Sequence, residues 1–172
     1  MYYSTDYPSP IGLLTLACNG DKLVGLWIEG QKYHGESIPE VMIEKDDIPL
    51  FDTVKNWLNR YFTDEKPHIA ELPLAPAGSE FRKEVWKILC EIPYGKVITY
   101  GQIAQKIAAA KKVESMSAQA VGGAVGHNPI SIIIPCHRVM GANGNMTGYA
   151  AGIAVKTKLL ELECADIPKL SR

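Results

Sequence analysis

The chain is poor in the features that mark metal-binding, secreted or membrane proteins. It holds 4 cysteines in 172 residues, and none lies in a C-x-x-C pair or near a suitably spaced histidine. This argues against a zinc site, and so few thiols in so long a chain argue against a disulfide framework. No apolar run approaches the roughly 20 residues that span a bilayer. No cationic, apolar leader follows Met1, so the expectation is a soluble, cytoplasmic protein with no membrane partner. Internal repeats and low-complexity tracts are also missing. What is present is an apolar content of 47%, enough for a core in one domain or two small ones.

The net charge of −1 conceals an asymmetry. Residues 1–80 hold 6 Lys+Arg against 13 Asp+Glu, and residues 81–172 hold 12 against 6. A basic C-terminal half suits a polyanion partner. Scattered solvated lysines would give the same count.

Along the chain, Tyr2-Tyr3-Ser4 reads as a strand and Asp6 to Pro10 as a turn. Leu13 to Cys18 and Lys22 to Ile28 read as a β-hairpin about Asn19-Gly20. Residues 31–48 are polar loop with a short strand near Val41–Ile43. Leu50, Phe51, Val54, Trp57, Leu58, Tyr61 and Phe62 recur at helical spacing after Pro49, which predicts an amphipathic helix whose aromatics are core. Leu72 to Gly78 looks like a linker. The expected domains are therefore 1–78 and 79–172. In the second, Ser79 caps a helix to about Cys90, and Lys96-Val97-Ile98 is a short extended piece. Thr99 and Gln102 have capping-box spacing ahead of a helix through Ala108. Ser117 caps another through Val125, and Asn128-Pro129 stops it. Two short helices joined by a turn suggest a helix-turn-helix, a weak signal by itself. A last helix runs from about Ala154 to Cys164.

The most telling stretch is ISIIIPCHRVM, residues 130–140. Ser131 to Ile134 is β-branched and apolar, which predicts a buried strand, and Pro135 should end it. A thiol, an imidazole and a guanidinium follow at once, at Cys136, His137 and Arg138. A lone buried cysteine is ordinarily a small core residue. Here its neighbours bring acid–base chemistry to it.

The ordered set Trp86, Ile92-Pro93-Tyr94-Gly95-Lys96-Val97, Tyr100, Ala120-Val121-Gly122, Asn128-Pro129, Ile134 to Val139, Gly148-Tyr149, Gly152, Lys156, Leu159-Leu160 and Glu163 resembles the O6-alkylguanine-DNA alkyltransferases. These are also called methylated-DNA–protein-cysteine methyltransferases. The likeness covers about Phe81 to Glu163; the acidic segment before it fits the family's smaller domain only loosely. The implied fold is α+β, with a small ribonuclease-H-like α/β domain and a mostly helical, winged-helix-like domain. The implied activity is single-turnover transfer of an alkyl group from O6 of guanine, or O4 of thymine, to Cys136.

By the same resemblance, His137 draws off the thiol proton through a water, Glu163 orients His137, and Asn128 holds the loop and its hydrogen bonds. Tyr100 donates to the departing guanine. Val139, Tyr149 and Ala150 line the base pocket. Gln119, Tyr100, Gly101, Ala120 and Gly123 meet double-stranded DNA in the minor groove, with little sequence preference. Gly122 and Ala124 are counted with the small residues allowing close approach. The resemblance implies no cofactor, no metal and a monomer. A base stacked in a duplex cannot reach a buried thiol, so it must be flipped.

Two departures stand out. Gln119 occupies the place of the family's usual arginine, which fills the gap left by the flipped base, and the connector carrying Lys111 and Lys112 is several residues longer. Gln119 lacks charge and reach, and the two lysines are candidates for phosphate contacts. Arg138 is expected to pair with an acidic group. Two other readings are an alkyl-lesion sensor that binds without transfer and a thiol hydrolase using Cys136 and His137.

Overall fold

The computed structural model describes residues 1–165, so the end of the expected second domain, 166–172, lies outside the described residues. The chain divides into two compact units. The first comprises residues 1–78 with 129–133, and the second residues 79–128 with the chain from 134 onward.

The first unit is built on a four-stranded sheet in the order β3-β2-β1-β4, from β1 (Tyr3–Ser9), β2 (Gly12–Cys18), β3 (Leu23–Ile28) and β4 (Ile43–Glu44). The first three are antiparallel neighbours and β4 pairs parallel to β1. Between β2 and β3, the Asn19 carboxamide oxygen accepts from the Asp21 and Lys22 amides at 3.1 and 2.9 Å, and Gly20 takes φ +103°. The chain turns there because Asn mimics a turn and Gly tolerates the left-handed region.

β1 is longer than the sequence suggests. It runs through Pro8, which pairs with Leu13. Only Tyr3 and Ser4 of β1 have a second neighbour, β4. Pro8 therefore sits where no amide is needed on the far side. Every residue of β3 is buried although it ends the sheet, because two loop segments cover its edge. Leu23 exchanges hydrogen bonds with Pro73 and Ala75, and Leu26 with Pro129 and Ser131, at 2.8–2.9 Å. The expected linker thus begins as an edge cover. Helix α1 (Pro49–Phe62) buries Phe51, Val54, Trp57, Leu58 and Tyr61. Such side chains contribute about 1.5–3 kcal/mol each when fully buried. Trp27 packs with Ala17, Val24 and Ile38 in a second cluster.

The expected strand at Ser131–Ile134 does not form. Ile130 makes a single bridge to Leu26, and the next residues turn. The Ile133 amide donates to the Ser131 carbonyl at 2.8 Å, which closes a three-residue turn centred on Ile132 at φ +70°. A β-branched residue there is strained, by roughly 1–3 kcal/mol. The side chain is 1% exposed. Its burial and the Ser131 bond hold the conformation, so β-branching marked burial here and not extension.

The second unit contains α2 (Glu80–Cys90), β5 (Ile98–Thr99), α3 (Tyr100–Lys111), α4 (Ala118–Gly126), β6 (Val139–Met140) and α5 (Ile153–Leu162). Its caps follow the sequence. Ser79 accepts from the Arg82 amide, Ser117 from the Ala120 amide, and Thr99 and Gln102 form the reciprocal box at 3.0 and 2.8 Å. Lys112 ends α3 in the left-handed region. The Trp86 indole donates to the Ala124 carbonyl at 2.8 Å, tying α2 to α4. β5 and β6 pair in parallel, Ile98 with Val139. Among the described residues, no helix is long and apolar enough to cross a membrane.

Candidate active site

The sulfur is placed by local geometry. The Asn128 amide donates through Nδ2 to the Ile134 carbonyl at 2.8 Å. The same carbonyl accepts from the Cys136 amide at 2.8 Å, with Pro135 between them at φ −82°, ψ 67°. That is a tight three-residue turn, and its fixed φ suits proline. Cys136, His137 and Arg138 then make one 3₁₀ turn, closed by the Arg138 amide on the Pro135 carbonyl at 3.0 Å. Successive side chains in such a turn diverge by about 120°. Cys136 and His137 are therefore adjacent in sequence yet point different ways.

His137 is fully buried, and its Nε2 lies 2.6 Å from Glu163 Oε2. Arg138 donates to the same carboxylate, through Nε to Oε1 at 2.8 Å and Nη2 to Oε2 at 3.0 Å. Its Nη1 donates to the Ile92 carbonyl at 2.7 Å. The Gly95 amide adds a bond to Glu163 Oε1 at 3.3 Å. Burial alone would raise the Glu163 pKa, but hydrogen bonds and charge from His137 and Arg138 outweigh it and hold the carboxyl well below its ordinary range. Burial pushes His137 down despite Glu163, so its imidazole is neutral near pH 7. With Nε2 as the donor to Glu163, the lone pair sits on Nδ1, which is buried and has no hydrogen-bond partner among the described residues.

Cys136 is 5% exposed. Burial pushes its thiol up; a hydrogen bond from Asn128 and the charge of Lys156 act the other way. The Tyr149 hydroxyl is buried beside the sulfur, and the Cys136 thiol is the group it interacts with. Tyr100 opens α3, and its hydroxyl donates to the Thr147 carbonyl at 3.3 Å. Burial, then the nearby Cys136, raise its pKa, which keeps it a proton donor.

The Val139 carbonyl already accepts from Lys156 Nζ at 2.5 Å, leaving one lone pair for another donor. Ala150 lies in the following loop, half-buried. Cys136, His137, Glu163, Asn128, Tyr100, Val139 and Tyr149 thus gather within one unit. Gln119, Ala120, Gly101 and Gly123 form a separate exposed set on the first turns of α3 and on α4. Ala124 does not belong with them: it is 3% exposed, and its carbonyl accepts from the Trp86 indole. A Cβ added at Gly123 would meet nothing within 4 Å, so packing does not require that glycine. Lys111 pairs with Glu84 at 3.6 Å and lies over the Phe81 ring, which leaves Lys112 as the freer of the two connector cations.

Sequence reasoning missed the role of Lys156, which is 0% exposed. The signal was available. Positions 156, 159, 160 and 163 follow helical spacing, and all four are buried. A lysine on an inner stripe calls for a partner. A groove of about 560 Å³ lies elsewhere in the unit, lined by Ile88, Ile92, Lys96, Gln102 and Lys106 among others. It shares no residue with the cluster around the sulfur.

Residues 80–165 match the family described as 6-O-methylguanine DNA methyltransferase, DNA binding domain, and residues 1–76 match its ribonuclease-like domain. The methylated-DNA–protein-cysteine methyltransferase of Haemophilus influenzae is 41% identical over 162 residues, covering 94% of this chain and 86% of that protein. The protein of that name in Methanosarcina acetivorans is 43% identical over 170 residues, covering 95% and 98%. A crystal structure of Mycobacterium tuberculosis OGT in complex with DNA aligns at TM-score 0.79 and 42% identity, over 95% of this chain and 92% of that one.

Proposed function

The chain belongs to the methylated-DNA–protein-cysteine methyltransferase family, direct-reversal DNA repair proteins, and from that premise we propose how its own residues carry the transfer. Cys136 is the acceptor. The thiol is a poor nucleophile, and few cysteines are ionised at neutral pH. The Cys136 proton passes to His137 Nδ1 through one water. Glu163 holds the imidazole in the tautomer that leaves this nitrogen free, and stabilises the imidazolium. The thiolate then attacks the alkyl carbon in line. The S–C bond forms, the C–O6 bond breaks, and its electron pair leaves with guanine. Tyr100 passes its proton to the departing base and is reprotonated from solvent, while the imidazolium returns the Cys136 proton to solvent, so that protons balance over the turnover. The product thioether is inert to water, so each molecule acts once.

DNA is the partner, and the exposed set on α3 and α4 is its seat. Ala120 and Gly123 offer little side chain, which suits close approach to a minor groove of double-stranded DNA without base-specific readout. Tyr149, Ala150 and the Val139 carbonyl receive the flipped base, and the protein works as a monomer. The observation carrying this reading is the buried Cys136–His137–Glu163 cluster, with the 2.6 Å bond between the last two.

Intact mass after incubation with O6-methylguanine duplex is the test. One methyl added to the wild type, and none to Cys136→Ala, is expected. Repair that continues through many turnovers without added mass would identify a hydrolase. Tight binding with neither would identify a sensor. Either result overturns the proposal.

A further inference from the structure

The Tyr100 side chain lies against two glycines. A Cβ added at Gly122 of α4 would sit 3.9 Å from its ring, an ordinary contact. A Cβ added at Gly148 would sit 3.2 Å from its hydroxyl oxygen, too close unless that oxygen moves. Gly148 has φ +71°. The left-handed region alone does not call for glycine, since Asn143 in the same loop holds φ +61°. Crowding does not follow from that conformation either. At Gly12, Gly20, Gly30 and Gly152, all with positive φ, a Cβ would meet nothing within 4 Å. At Gly148 the space that a side chain would need is taken by the Tyr100 hydroxyl.

That oxygen has little freedom to yield. It lies on the long axis of the phenol, so rotation of the ring does not move it. Relief must come from χ1 or from the backbone where α3 begins, and the Thr99–Gln102 box fixes that start. The hydroxyl donates to the Thr147 carbonyl at 3.3 Å, longer than the roughly 2.7–2.8 Å usual for a hydroxyl donor. A bond that long parks the proton without holding it. The Thr147 carbonyl and the bare Gly148 Cα thus make one seat from consecutive residues.

We propose that Gly148 is a positioning residue of the transfer reaction: the place of its missing side chain seats the Tyr100 hydroxyl where it can give its proton to the departing base. This rests on Tyr100 being the proton donor in the proposed function. Two chemistries at one sulfur are thereby separated. Transfer from O6 needs a proton on the leaving group. Alkylation of Cys136 by iodoacetamide expels iodide, which needs none. A side chain at position 148 should slow the first and spare the second.

The experiment measures single-turnover methyl transfer and iodoacetamide labelling of Cys136, the latter by peptide mass. The proteins are wild type, Gly148→Ala, Gly148→Asn, Tyr100→Phe, and each Gly148 variant combined with Tyr100→Phe. Gly148→Ala should slow transfer about tenfold and leave labelling within about twofold. Gly148→Asn suits the backbone but adds the same Cβ, so it should share the defect. With Tyr100→Phe there is no hydroxyl to displace, and either Gly148 change should slow transfer by less than about twofold more. Equal slowing in both backgrounds, a parallel fall in labelling, or a Gly148→Asn protein at the wild-type rate would overturn the proposal. Should Gly148→Ala fail to fold, Gly148→Asn supplies the same comparison. Tyrosine ¹³Cζ NMR reads the seat without reference to repair. The Tyr100 resonance, assigned by its loss in Tyr100→Phe, should shift in Gly148→Asn, and an unmoved resonance refutes the seat. A shifted resonance in a protein whose wild type accepts no methyl would sink the proposed function and leave the seat standing.

Discussion

Replacing Glu163 by Gln changes one atom and removes one charge, and the geometry around it makes the consequence calculable. Oε2 receives His137 and Arg138 Nη2; Oε1 receives Arg138 Nε and the Gly95 amide. A carboxamide has one acceptor oxygen and one donor nitrogen. With the nitrogen at the Oε1 place, it faces two donors. With the nitrogen at the Oε2 place, it faces one donor from Arg138, and His137 can adapt by moving its proton to Nδ1. The second orientation is the cheaper. It puts a proton on the nitrogen that should take one from Cys136. Transfer should slow about 10²–10⁴-fold, the range for loss of a correctly set general base. Leaving Arg138 buried without its counter-ion should also cost about 3–5 kcal/mol of stability. The assays are single-turnover transfer from an O6-methylguanine duplex and urea unfolding. A folded Glu163→Gln protein repairing within threefold of wild type would refute the tautomer argument. A stability loss under 1 kcal/mol would refute the account of the buried pair.

Two further outcomes are expected. Stability should fall in acid in two steps: burial keeps the native His137 from taking the proton that the unfolded chain takes below about pH 6.5, and the depressed Glu163 adds a second loss below about pH 4.3. Urea midpoints against pH should show both, and a flat profile between pH 7 and 5 would contradict the first. Gln119→Arg restores charge at an exposed position on α4 and should speed duplex repair about fivefold while leaving single-stranded substrate unchanged, an effect of about 1 kcal/mol; single-turnover rates on the two substrates check it, and equal rates would remove Gln119 from the account of flipping.

The helices were legible because two local codes agree on them. Ser79, Thr99 and Ser117 announce starts, and apolar spacing reports the inner faces. The hairpin was legible through Asn19-Gly20. Both codes fail where the chain departs from regular structure. Pro8 misled because its place at an unpartnered edge is a tertiary fact. The run at Ser131–Ile134 misled because β-branched residues report burial as well as extension, and a turn with φ +70° at Ile132 has no composition signal. Glu163 drew notice only by resemblance, since a lone acid near a helix end reads as solvated. Lys156 was passed over because lysine is taken for a surface residue, although its helical stripe pointed inward.

The turn that sets the nucleophile has an engineering corollary. The Asn128 bond to Ile134, the three-residue loop over Pro135 and the closing bond from Arg138 all fall between positions 128 and 138. The sulfur's address is written mainly in short-range backbone geometry. Substitutions in the four-stranded sheet should blunt this protein by unfolding it, whereas exchanging Pro135 or Asn128 should leave a well-folded molecule whose reactive atom points at the wrong spot.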